Sequence, residues 1–196
     1  MEKFTSHTGI GAPLRRSNVD TDQIIPARFL QKPRKGDYGR LLFHDLRFAP
    51  DESKRPGFVL NNPRYEGAQI LVADTNFGCG SSRENAVWVL QDYGFKAVIA
   101  PSFGDIFHTN SLKNGLLVIR LPQPVISELL GRLPPGANSG IEIDLPGQRV
   151  VLPDGSSHDF EIDAFAKKCL IEGMDELAYT LSLSDEIARF EANRQQ

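Results

Sequence analysis

The segment Asp74-Thr75-Asn76-Phe77-Gly78-Cys79-Gly80-Ser81-Ser82-Arg83-Glu84-Asn85-Ala86 gathers the side chains of this chain best suited to chemistry. Gly78 and Gly80 permit positive φ and let the backbone come close to a ligand. Ser81 and Ser82 add hydroxyls, and Arg83 adds a fixed cation whose forked donors match a carboxylate. The apolar run Gln69–Ala73 (QILVA) precedes the segment, and an apolar helix is predicted around Ala86–Leu90. The segment is therefore a strand-to-helix turn at the carboxyl end of a buried strand, where open α/β sheets place ligands. The first turn of the following helix presents unpaired N–H groups and the positive dipole end. Taken together, these groups favour an anion. Structural readings stand beside the chemical one: Ser81-x-x-Glu84 also fits a capping box, and Gly78-Cys79-Gly80 fits an ordinary tight turn. A dinucleotide fingerprint fits poorly, because its third glycine would fall at Arg83 and no Walker lysine follows.

Other reactive groups are sparse. His7, His44, His108 and His158 are scattered without metal-ligand spacing, and Cys79 and Cys169 lie far apart. The N-terminus shows no export pattern, so both thiols are expected to be reduced and the protein cytoplasmic. The 196 residues suffice for one ordinary domain, and the 40% hydrophobic and 24% charged content is that of a soluble globular protein. A net charge of −3 creates no field for nucleic acid or an acidic membrane surface, and no apolar run reaches the length of a membrane span.

The elements that position the turn follow from pattern. Residues 69–73, 97–100 and 116–120 are short apolar runs, with helices predicted at 86–90 and 106–113, stopped by Gly94 and by Asn114-Gly115. Strand-helix-strand alternation requires parallel pairing. A helix is expected over 124–133, then an antiparallel meander at 141–145, 149–152 and 160–162 with turns at Pro146-Gly147 and Asp154-Gly155. Helices are expected at 164–171 and 176–194, the latter broken near Ser184. In the first third, short strands are expected at 4–9 and 14–18. Residues 31–63 read as a long surface excursion and flexible loop, with Phe43, Leu46 and Phe48 packing locally. The expectation is one three-layer α/β domain over 1–196, with a mixed sheet, appended β-hairpins and a helical C-terminal tail from about residue 164.

Three segments carry a family resemblance. Phe77–Ala86 resembles the signature of the swivelling domain in the aconitase superfamily. Asn18-Val19-Asp20-Thr21-Asp22-Gln23-Ile24-Ile25-Pro26-Ala27-Arg28-Phe29-Leu30 resembles the opening of isopropylmalate dehydratase small subunits. Pro101–Phe107 with Asn110 and Asn114–Leu117 resembles a third shared segment. One departure is Asn85, where the family often has His.

The resemblance implies a swivelling β/β/α domain and a hydro-lyase of leucine biosynthesis, active only with a large subunit. That enzyme interconverts 2- and 3-isopropylmalate by dehydration and rehydration through 2-isopropylmaleate. It further implies Ser81 as the base in its alkoxide form, and Ser82, Arg83 and Gly80 at the substrate carboxylate. Asp22, with Asp20, would serve the polar network near the hydroxyl, against a structural reading as turn or Asx-cap residues. Arg28, Phe29 and Leu30 would meet the substrate's side group: an apolar wall suits isopropyl, whereas an arginine reaching the pocket would suit a third carboxylate. The family's [4Fe–4S] cluster is held by cysteine thiolates. A chain with two cysteines does not hold it, so the cluster is expected on the large subunit and no metal or cofactor on this chain. Cys79 occupies a position where the family has a non-ligand.

Overall fold

The computed structural model describes residues 1–133 and 140–194. Seven strands form one mixed sheet in the order β4-β3-β2-β1-β5-β6-β7. They are β1 (Ser6–Leu14), β2 (Ile70–Ala73), β3 (Ala97–Ala100), β4 (Leu117–Arg120), β5 (Gly140–Asp144), β6 (Arg149–Val151) and β7 (Ser157–Asp159). The helices are α1 (Thr21–Ile24), α2 (His44–Arg47), α3 (Glu84–Tyr93), α4 (Asp105–Lys113), α5 (Gln123–Arg132), α6 (Ala164–Glu172), α7 (Glu176–Ser182) and α8 (Ser184–Arg194).

Successive residues of a strand face opposite sides of a sheet. Every residue of β2 and β3 is nevertheless buried, so both faces of the parallel half are covered. That is the three-layer arrangement the continuous apolar runs imply. β2, β3 and β4 pair in parallel, with α3 and α4 as the crossovers. The antiparallel half instead alternates: Ile141 and Ile143 of β5 are buried while Glu142 is exposed. Buried side chains from Phe4 to Leu170 join a single hydrophobic cluster.

β1 unites the halves. Its residues 11–14 pair in parallel with Ile70–Ala73 of β2, and its residues 6–10 pair antiparallel with β5. The nine-residue strand replaces the two short ones expected at 4–9 and 14–18. Gly9, Gly11 and Pro13 conceal it in the sequence, because none of them favours a strand. Beyond Leu14 the polar run Arg15–Asn18 is exposed and turns, with Asn18 at φ 53°. The third meander strand lies at Ser157–Asp159 rather than at 160–162. Phe160 is buried, and its N–H donates to the Gln148 carbonyl at 2.9 Å. The break near Ser184 separates α7 from α8 at Leu183.

The segment 31–63 is exposed over 31–37, but its middle packs against the domain. Tyr38, Leu41, Leu42, Phe43, Phe48 and Leu60 are buried. Arg47 is buried too; its guanidinium donates to the Leu42 carbonyl at 3.1 Å and lies 4.9 Å over the Tyr93 ring. Burial lowers the pKa of that guanidinium below its ordinary value. Gly39 meets the end of α3 so closely that an added Cβ would fall 2.5 Å from the Asp92 carbonyl carbon. Sparse periodicity hid this packing, because single turns such as Tyr38–Leu41 and His44–Arg47 leave no pattern of period 3.6. Gly39→Ala is accordingly expected to destabilise the chain by about 1–3 kcal/mol. Urea unfolding should show a lower midpoint with unchanged slope, and an unaltered midpoint would mean that the segment does not bear on α3.

Candidate active site

Three segments meet beyond the carboxyl ends of β1, β2 and β3. The Asn18 N–H donates to the Thr75 carbonyl at 2.9 Å, and the Gly78 N–H donates to the Val19 carbonyl at 2.7 Å. Phe77 and Gly104 lace the second segment to the third: Phe77 N–H to the Ser102 carbonyl at 3.1 Å, and Gly104 N–H to the Phe77 carbonyl at 2.9 Å. The Ser102 hydroxyl accepts from the Asn76 N–H and shares a bond with the Thr75 hydroxyl, both at 2.8 Å. Asn18 and Asn76 both adopt the left-handed conformation, and the Asn76 amide donates to Asn18 Oδ1 at 2.8 Å. Asparagine tolerates that conformation better than most side chains. Gly78 has φ 74°, and any Cβ there would overlap the Phe107 ring.

On this base the glycine turn projects its chemistry outward. Gly80, at φ 92°, Ser81 and Ser82 are exposed, whereas Arg83 is half-buried. The helix begins only at Glu84, and its cap position is Arg83, with no side-chain cap bond. Ser81 therefore lies outside the helix, and the capping-box reading of Ser81-x-x-Glu84 does not hold. Among the described residues no backbone N–H from Gly80 to Arg83 donates to a protein acceptor, and neither serine hydroxyl has a protein partner. Open amides, two hydroxyls without protein partners and a guanidinium share this turn, a set of groups suited to an anion.

Residues 19–22 run alongside. The Thr21 N–H donates to the Cys79 carbonyl at 3.0 Å, and the Thr21 hydroxyl donates to the Ser81 carbonyl at 3.0 Å. Asp22 forms an ion pair with Arg83. Asp20 caps α1, accepting from the Gln23 N–H at 2.7 Å, so the structural reading applies to that residue. At the edge of the site Asp74 is held below the usual carboxylate range, first by the Gln123 amide and then by the Thr75 N–H and the Ser17 hydroxyl. Burial and the nearby Asp20 push the Cys79 thiol up, away from the thiolate that a nucleophile or ligand needs. Both cysteines are free thiols.

Arg28, Phe29 and Leu30 form a second group. Arg28 Nη1 donates to Asp45 Oδ2 at 2.9 Å, and the guanidinium carbon lies 4.5 Å over the Phe29 ring. Lys32 also lies over that ring at 4.8 Å, and His44 meets its edge at 4.8 Å. Leu30 is half-buried against the core. Phe29 borders a cleft of about 470 Å3 whose walls include Lys32, Arg40, His44 and Glu52, so this cleft is charged rather than purely apolar. Among the described residues no hydrogen bond or ion pair joins Arg28, Phe29 or Leu30 to Ser81, Ser82 or Arg83. Asp45, His44 and Thr21 escaped the sequence reading. Asp45 and His44 are distant in sequence from Arg28, and Thr21 is masked by the acidic residues on either side. A [4Fe–4S] cluster takes cysteine thiolates, and the two cysteines of this chain are too few, with both thiols pushed up by burial, so its residues do not fit one.

The site and the mixed sheet define a class, the aconitase-type swivelling domain. The family model described as Aconitase C-terminal domain matches residues 1–124, and a model described as LeuD_N matches residues 136–164. The chain is 50% identical over 194 residues to the 3-isopropylmalate dehydratase small subunit of Rhodospirillum centenum, covering 99% of this chain and 96% of that one. The small subunit of Paramagnetospirillum magneticum matches with the same identity and coverage. The crystal structure of 3-isopropylmalate dehydratase (leuD) from Methanocaldococcus jannaschii superposes with TM-score 0.66 at 26% identity, over 94% of this chain and 98% of that one. The chain belongs to the family of 3-isopropylmalate dehydratase small subunits.

The Arg28–Asp45 pair yields a pH prediction. Hydrogen bonding from Arg28, aided by His44, lowers the Asp45 carboxyl to about 2. A depressed acid contributes its stabilisation above its unfolded pKa, near 4. That contribution is lost as pH falls from about 4 towards 2. Carboxyl-carbon NMR of the chain should show Asp45 titrating at about 2, and an ordinary midpoint would mean that the pair does not form in solution.

Proposed function

We propose that this chain works as the small subunit of 3-isopropylmalate dehydratase and supplies the proton-transferring wall of an active site completed by a large subunit. The observation that carries the reading is Ser81: an exposed hydroxyl, not a helix cap, beside open amides and Arg83. The reaction removes a proton from the carbon next to a carboxylate while hydroxide departs from the neighbouring carbon, leaving 2-isopropylmaleate. Water then adds back with the hydroxyl and proton positions exchanged.

In this reading Ser81, as alkoxide, takes the carbon-bound proton and later returns one. A serine hydroxyl is a very weak acid, so its ionisation needs the local positive field of the helix N-terminus, the open amides and Arg83. Ser82 and Arg83 hold a substrate carboxylate, and the Gly80 amide, which has no protein acceptor among the described residues, adds a donor. Asp22 holds Arg83 through their ion pair and joins the polar network near the departing hydroxyl. Arg28, Phe29 and Leu30 meet the side group. A [4Fe–4S] cluster held by the large subunit would supply the Lewis acidity that assists hydroxide departure. Both thiols are free, in keeping with a cytoplasmic setting.

The test is Ser81→Ala in the complex reconstituted with its large subunit. Turnover should fall by at least about 100-fold, the scale of general acid–base catalysis, while co-purification with the partner is retained. Undiminished turnover would refute the role of Ser81.

A further inference from the structure

Thr21 is one of only four buried polar or charged side chains among the described residues, at 2% exposure. A buried hydroxyl requires a hydrogen-bond partner. That of Thr21 donates to the backbone carbonyl of Ser81 at 3.0 Å, while the Thr21 N–H holds the Cys79 carbonyl two residues earlier. Ser81 has little else to fix it. It is exposed, it lies outside α3, and Gly80 before it sits at φ 92°, which only glycine adopts readily. Among the described residues the Thr21 hydroxyl makes the one hydrogen bond joining Ser81 to the rest of the protein. The neighbours of Thr21 divide the remaining work: Asp20 caps α1 and Asp22 holds Arg83.

We propose that Thr21 is a positioning residue, whose buried hydroxyl fixes the Ser81 backbone and so aims the Ser81 hydroxyl at the substrate carbon. The proposal rests on Ser81 being the base. The hydroxyl bonds the Ser81 carbonyl, and among the described residues it makes no bond to the Ser82 hydroxyl or the Arg83 guanidinium, the groups read as holding the carboxylate. Its loss should therefore slow turnover without weakening substrate binding. Misplacement of a reacting group by about 1 Å costs on the order of 100-fold in rate.

Two substitutions separate hydrogen bonding from packing. Thr21→Val keeps the shape and removes the hydroxyl; Thr21→Ser keeps the hydroxyl and removes the methyl. Each variant is titrated to saturation into the large subunit, and kcat and KM are measured beside Ser81→Ala. Thr21→Val should lower kcat by about 10- to 100-fold, with KM held within about twofold, and Thr21→Ser should remain within about threefold of the native kcat. The proposal is overturned by a normal kcat in Thr21→Val, by a loss in Thr21→Ser as large as in Thr21→Val, or by a change confined to KM. Failure of Thr21→Val to assemble or to unfold cooperatively also overturns it, since the bond would then serve folding. Should Ser81→Ala itself keep full turnover, the reading of the site fails instead, whatever the Thr21 variants do.

Discussion

Parallel pairing of the second half of β1 with β2 is the constraint on which the site depends. It brings the end of β1 beside the end of β2, so that residues 18–22 emerge next to residues 75–83. A reversed β1 would carry Asp20, Thr21 and Asp22 to the opposite ends of the strands. The same strand has to serve an antiparallel partner over its first half, which ties the hairpin half of the sheet to the parallel half that carries the candidate site. A nine-residue strand with two different neighbours is thus the structural requirement of the site.

Above that base the division of labour is physical. Backbone hydrogen bonds and the Phe77, Phe103 and Phe107 rings, packed at 5.4–6.4 Å between centroids, make a rigid floor. Among the described residues the Gly80–Arg83 amides and the Ser81 and Ser82 hydroxyls stand on it without protein partners, while Arg83 is paired with Asp22. Leaving polar groups unpaired is tolerable in water and costly once buried, which fits the proposed role of a surface that meets substrate and partner together. In the proposed role, the ion pair of Asp22 with Arg83 keeps the guanidinium oriented before an anionic ligand arrives.

The sequence reveals those parts whose signals are local. The turn from Gly78 to Arg83 was legible because glycines, hydroxyls and a cation stand together between a buried strand and a helix. β2, β3 and β4 were legible as continuous apolar runs. β1 was not, because glycine and proline interrupt its pattern and its burial comes from neighbours remote in sequence. Position relative to the helix start decides whether Ser81 is a cap, and only coordinates supply it. Thr21 and Asp45 were invisible for a related reason: each matters through a residue far along the chain, Ser81 in one case and Arg28 in the other. The identity of the substrate was legible only through family resemblance, since an anion-receiving turn by itself does not name the anion.

The central claim is that this chain forms one wall of a shared active site. It is tested most directly by titrating the chain into a 3-isopropylmalate dehydratase large subunit while following hydration of 2-isopropylmaleate. Neither protein alone should turn over substrate, and activity should rise with added chain and saturate at one small subunit per large subunit. Full hydration by either protein alone, or activity in the large subunit that the added chain leaves unchanged, would contradict it.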